Sequence, residues 1–199
     1  GSNSLYKGAK CWTVYFERQY IPGQVTDKIL TRHYANPEFN LLLARLLGEA
    51  AVVNCVVGRA NTEGQVLFDD GDEVITLDQA GMPERLTVSD HTGAFTLYEE
   101  PLEQMAEAYA DPVNKRIALM PNPEAFAETY LASFRQRFVT LQQEYRRRRH
   151  AFDKLFKHRP VDPAGSLAYR WQCILARLDA TDAETLTEAI RSQIRGLHP

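Results

Sequence analysis

The sequence predicts an α+β protein with a helical majority, in which short β-hairpins pack on a helical lobe. The short runs that are typical of strands, such as CWTVYF (11–16) and QVLF (65–68), lie before about residue 98. From about Pro101 onward, apolar residues recur at three- to four-residue steps, which is the period of an amphipathic helix. We therefore expect one domain over 1–199, with a β-containing part at about 11–98 and a helical part at about 99–199, belonging to a larger protein.

The composition is that of a globular protein. Its 199 residues are 44% hydrophobic and 25% charged, with a net charge of −3, which argues against a general nucleic-acid binder. No run of about eighteen apolar residues is present, so no membrane span is expected. Cys11, Cys55 and Cys173 are widely spaced, which favours buried thiols in a reducing cytoplasm over disulfides or a zinc site.

The first third of the chain predicts a strand and two helices. The segment CWTVYF (11–16) is typical of a strand. Val25 and the apolar residues at 29–30 fit a short helix. That helix is expected to end before Pro37, because the residue preceding a proline avoids helical geometry. Asn36 is a suitable cap for the next helix, with Pro37 at its first position. That helix carries apolar residues on nearly all sides, so it is expected in the core.

Two hairpins are expected next. CVVG (55–58) and QVLF (65–68) are β-type runs joined by a polar, Gly-containing connection. The runs VITLD (74–78) and RLTVS (85–89) predict a second hairpin, with Ala80-Gly81 in its turn.

The second half predicts helices. The segment at 101–120 is helical with a break near Asp111-Pro112. A long helix begins after its cap Asn122 and ends at Arg159-Pro160, with one buried apolar face. Two further helices are expected over 166–178 and 182–197, the last with Thr181 as its cap.

Four acids lie between the predicted strands, in the stretch QVLFDDGDEVI (65–75). Asp69 and Asp70 alternate sides at a strand end, and Gly71 allows a sharp turn after them. A carboxylate held in this way suits a hard cation such as Mg²⁺, whereas in a simple turn the same acids are only hydrated. Asn54 precedes the first strand of the predicted hairpin, so it is expected beside Asp69 and Asp70, where an amide oxygen joins the carboxylates.

The predicted elements follow one another in an order that resembles the C-terminal lobe of the protein-kinase-like superfamily. That order is a strand, a short helix, a central helix, an Asn, a hairpin and an Asp-x-Gly segment. The atypical, aminoglycoside-phosphotransferase-like members are the most similar. The resemblance implies that VYFERQYIPGQ (14–24) joins two lobes and meets the adenine of ATP, through residues such as Glu17, Gln19 and Tyr20. It also implies that Asp69 is the chief Mg²⁺ ligand and Asn54 its amide partner, with Asp70 in support.

The sequence departs from the kinase pattern in two respects. Glu49 stands where the family has its catalytic Asp, so Glu49 is either a substitute base or an ordinary helix residue. No Gly-rich loop and no strand Lys with a partner Glu precede residue 11. The expected function is thus a kinase-like lobe that binds Mg²⁺ and ATP and takes part in phosphoryl transfer to a protein or small molecule, in an incomplete or degenerate form.

A non-catalytic interaction module is the alternative. QVLFDDGDEV also resembles the strand and turn of Tudor-like barrels, in which acids lie near an aromatic cage for a methylated cation. On this interpretation a small β-unit on a helical bundle recognises a protein partner. The basic stretch at 146–149 is expected to be a solvated helix face, because successive helix residues point in different directions.

Overall fold

The computed structural model describes residues 23–25, 32–59, 73–88, 94–157, 159 and 161–197. The elements are β1 Gln24–Val25, α1 Pro37–Val56, β2 Glu73–Leu77, β3 Pro83–Val88, α2 Ala106–Asn114, α3 Pro123–Phe156, α4 Leu167–Ala180 and α5 Ala183–Gln193. Two 3₁₀ segments, Leu102–Met105 and Ile117–Leu119, flank α2. The predicted class, α+β with a helical majority, is confirmed. The strand predicted over 11–16 lies outside the described residues.

The strands form an antiparallel sheet in the order β1-β2-β3, and its hairpin β2–β3 is the second one predicted. The Asp78 side chain shapes the turn by accepting from the backbone N–H groups of Ala80 and Met82 at 2.9 and 2.8 Å. Gly81 takes a φ of +78° there, which favours glycine. Placing Val25 in a short helix was wrong, because it lies in β1 and pairs with Val74.

Helix α1 begins as predicted. The Asn36 side chain accepts from the Phe39 N–H at 3.2 Å, and Pro37 occupies the first turn. Gly48 lies where α1 crosses α3: a Cβ there would come within 2.5 Å of the Tyr130 carbonyl oxygen. The two helices therefore approach each other backbone to backbone at the centre of the core.

The first half of the first predicted hairpin is wrong, because the structure has the end of α1 there. Cys55 and Val56 continue the helix instead of starting a strand, because both side chains are buried against the core. Tertiary packing here overrides the β preference of valine. The helix ends where Gly58 takes a φ of +58°. The other half of that hairpin, at 65–68, lies outside the described residues.

Helix α3 confirms the predicted long helix and its buried face. The Asn122 side chain caps it by accepting from the Ala125 N–H at 3.0 Å. The buried face consists mainly of aromatic residues, namely Phe126, Tyr130, Phe134, Phe138 and Tyr145. The face does not extend to Leu155, which is 74% exposed.

Two predicted helix boundaries are wrong. Helix α2 continues through Asp111 and Pro112 to Asn114, because a proline near its end removes only one hydrogen bond and its ring is buried. The cap of α5 is Asp182 rather than Thr181: the Asp182 carboxylate accepts from the Thr185 N–H at 2.8 Å.

Helix α1 is long and apolar enough to cross a membrane by length and composition. In this fold, however, 67% of its most apolar window is buried inside the protein. Its apolar composition is accounted for by packing against α3 and β3.

Candidate functional site

Asn54, the predicted amide ligand, lies in the last turn of α1 and is 1% exposed. Its side-chain oxygen is buried and accepts no hydrogen bond from any residue in the described ranges. An unsatisfied buried acceptor of this kind costs about 1–3 kcal/mol. The prediction that Asn54 precedes a strand is wrong, because two further helical residues follow it.

Glu49, the candidate base, is a half-buried residue in the middle of α1. Its carboxylate is 3.4 Å from the Arg45 guanidinium in an i,i+4 pair. Residues five apart on a helix differ by about 140° in direction, so Glu49 and Asn54 point to different sides of α1. The structure does not bring these two side chains together.

The remaining predicted site residues lie outside the described part of the chain. These are the metal ligands Asp69 and Asp70 and the adenine-contacting residues Glu17, Gln19 and Tyr20. Within the ranges that are described, no group of three or more His, Cys, Asp or Glu side chains is arranged to hold a metal ion.

Glu73, the last acid of the stretch at 65–75, has a structural partner. Its side chain is 6% exposed and lies 3.4 Å from the Arg116 guanidinium, which is 2% exposed. Arg116 also donates to the Pro112 carbonyl at 2.9 Å. The pair attaches β2 to the end of α2 and places Glu73 inside the core.

Cys55 is buried as predicted, next to Asn54. Burial raises the pKa of its thiol from 9.0 to about 12. A thiol is nucleophilic as the thiolate, so Cys55 is inert at neutral pH. The Tyr109 hydroxyl lies 3.5 Å from the Cys55 carbonyl, and burial raises the pKa of that tyrosine as well.

A groove of about 890 Å³ runs between α1, α3 and β3. Its lining residues come from these three elements: Arg45, Leu46, Glu49, Ala50 and Val53 from α1; Glu84, Arg85 and Leu86 from β3; Thr129, Ala132, Ser133, Gln136, Arg137 and Thr140 from α3. Its open shape suits a chain segment better than an enclosed small molecule.

Most polar groups of the groove are already satisfied. The Ser133 hydroxyl donates to the Arg45 carbonyl at 2.9 Å, and the Arg45 and Glu49 side chains pair with each other. Glu84, Arg85 and Arg137 make no ion pair within the part of the chain that the structure describes. Two cations and one anion are therefore available to a bound segment.

The sequence interpretation missed this groove, although a signal for it was present. Arg45, Glu49 and Val53 recur at four-residue steps on the side of α1 that does not face the core. Thr129 and Ser133 follow the same step on α3. A repeating stripe of this kind on an otherwise buried helix marks a concave surface, but only the fold shows that both stripes face one groove.

Comparison of the chain with protein-family models, curated proteins and solved structures found no match.

Proposed function

We propose that this chain is a protein-interaction module that binds an extended segment of a partner protein in the groove between α1, α3 and β3. One observation carries the proposal: β3 is the outer strand of the described sheet and also forms a wall of the groove. An outer strand offers unpaired backbone N–H and C=O groups, to which a further strand can be added.

The groove sets the length of the bound segment. On its α3 side it extends from Thr129 to Thr140, about 16 Å along the helix at 1.5 Å per residue. An extended chain rises about 3.3 Å per residue, so about five residues of the partner fit.

Side chains of the groove set the sequence preference. Leu46, Ala50 and Val53 offer an apolar surface to every second side chain of the segment. With Arg85, Arg137 and Glu84 available, the groove has a net charge of one positive unit. We therefore expect the bound segment to carry at least one acidic residue that pairs with an arginine. The preferred partner is therefore a short alternating strand with an acidic residue.

The test is a selection of random ten-residue peptides displayed on phage against the wild-type chain. The selected peptides are then measured against Ala132→Arg, which fills the groove at an exposed position of α3. We expect at least a tenfold loss of affinity. Ala151→Arg, also exposed on α3 but away from the groove, is the matched control and should bind normally.

A second measurement probes the backbone contacts. N-methylation at alternate positions of a selected peptide should abolish binding in one register and leave it intact in the other, since only one set of N–H groups faces β3. Equal binding to the wild type and to Ala132→Arg would show the proposal to be wrong.

We also propose, as a second candidate, the Mg²⁺-nucleotide binding that the kinase-like resemblance implies. The observation in its favour is the buried Asn54 oxygen that accepts no hydrogen bond. Amide oxygens are ligands for hard cations, and a cation held between Asn54 and Asp69 would satisfy it. In this arrangement Glu49 would lie on another face of α1 than the metal ligand Asn54.

Thermal melting with MgCl₂ and ATP tests this second candidate. At a nucleotide concentration of about 100 Kd, binding stabilises the folded state by about 2.7 kcal/mol, a shift of several degrees in Tm. The shift should vanish in Asp69→Ala and persist in Asp153→Ala, an exposed acid on α3. If Asp69→Ala shows the same increase in Tm with MgCl₂ and ATP as the wild type, Asp69 is not a ligand of the metal.

A further inference from the structure

We propose that a second pocket, at the junction of α1, α3 and α4, binds a small uncharged molecule with a single aromatic ring. The pocket has a volume of about 220 Å³ and lies where the last turn of α1 meets the middle of α3. Val53 separates it from the groove described above, since this residue lines both. The ligand and the partner segment would thus occupy different cavities that share Val53 as a lining residue.

The floor of the pocket is apolar and belongs to the core. Ile174, Leu175 and Leu178 of α4 form it, and each is at most 4% exposed. A polar ligand group placed on this floor would lose its water without gaining a partner, which costs several kcal/mol in an apolar environment. The floor therefore selects apolar ligand surface.

The walls are aromatic and held in place. Tyr145 and Phe152 of α3 meet edge to face with centroids 5.7 Å apart. Trp171 of α4 stacks on Phe156 at 4.5 Å, which fixes its ring at the pocket wall. Rings in fixed positions provide preformed stacking and edge contacts for another ring, so little ordering is needed on binding.

Charge at the mouth is balanced. Glu144 and Arg148 are the charged side chains of the lining, and they lie four residues apart on α3. Their formal charges cancel, so the lining carries no net charge. The pocket accordingly favours a neutral ligand over a carboxylate or an ammonium.

The volume limits the size of the ligand. A dry apolar cavity of about 150 Å³ is sufficient for benzene, whereas drug-sized molecules occupy about 300–1,000 Å³. A pocket of about 220 Å³ therefore holds one ring with a small substituent.

Toluene is the probe for this site, with benzoate and benzylammonium as charged analogues of similar size. Isothermal titration calorimetry on the full chain should show saturable binding of one toluene, with both charged analogues at least tenfold weaker. Leu141→Trp fills the pocket from α3 and should weaken toluene binding at least tenfold. Leu155→Trp places the same side chain at an exposed position of that helix and should bind normally.

Leu175→Phe fills the pocket from its floor on α4 and provides a second variant if Leu141→Trp does not fold. Melting curves identify which variants are folded. Toluene binding that does not saturate, or that is unchanged in a folded filled variant, would overturn the proposed site. Benzoate binding as tightly as toluene would overturn the assignment of a neutral ligand.

Discussion

Glu73 differs from an ordinary turn acid because its carboxylate is buried against Arg116. The sequence offered two roles for the acids at 69–73, a hydrated turn or a metal site, and Glu73 has neither. Its partner lies 43 residues away in the chain. No local spacing reveals such a pair, because only the packing of β2 against the end of α2 brings the two groups together.

Glu73→Gln should destabilise the protein by about 3–5 kcal/mol, because it removes the negative charge that faces the buried Arg116 guanidinium. Urea unfolding followed by circular dichroism measures this change. Glu49→Gln is the matched control: it breaks a pair that is about half exposed on the surface of α1 and should cost less than about 1 kcal/mol. Equal losses in the two variants would contradict the structural role of Glu73.

At the scale of elements, local signals predicted the starts of helices better than their ends. Asn36 and Asn122 cap α1 and α3 as expected, since a cap depends on a few adjacent residues. The end of α1 was misplaced because Cys55 and Val56 remain helical through burial, which is a tertiary effect. The close crossing at Gly48 is likewise invisible in the sequence, where a glycine inside a helix suggests only weakness.

Gly48→Ala should destabilise the protein, although the same change in an exposed helix stabilises it by about 0.5–1 kcal/mol. The new methyl group would lie 2.5 Å from the Tyr130 carbonyl oxygen and would force α1 away from α3. We expect a loss of about 1–3 kcal/mol in thermal or urea unfolding.

Leu41→Ala on the same helix is the control for the Gly48 variant. Leu41 is 39% exposed, so its truncation should change the stability by less than the Gly48 substitution. A Gly48→Ala protein as stable as the wild type would show that the two helices separate there without cost.

At the scale of the whole molecule, the groove combines elements that are far apart in the chain. Arg45 of α1, Glu84 of β3 and Ser133 of α3 line one surface. The sequence predicted the class of the fold and most of these elements, since both follow from periodicity. It did not predict the groove, because the angle and register at which helices pack are set by contacts such as that of Gly48 with Tyr130.

The stability of the whole molecule should fall in alkali, and Cys55 should contribute strongly to this. The pKa of its thiol is raised from 9.0 to about 12 by burial, so the unfolded chain loses this proton first. The stabilisation is complete below pH 9 and declines above it, by about 1.4 kcal/mol between pH 8 and pH 10.

Urea unfolding at pH 8, 9 and 10 measures that decline. Cys55→Ala is expected to flatten it, because that variant lacks the buried thiol. Burial also raises the pKa values of Tyr109 and Tyr130. Their hydroxyls therefore also lose protons first in the unfolded chain, so the stability of the folded state continues to fall at higher pH. A profile that is unchanged in Cys55→Ala would refute this assignment.

The packing of α1 against α3 has a consequence during synthesis of the chain. Helix α1 is complete at Val56, but its contact on α3 includes Phe134, nearly eighty residues later. At about 5–20 residues per second, several seconds pass before that partner leaves the ribosome. Throughout that interval the twenty-residue apolar segment of α1 has no α3 to pack against.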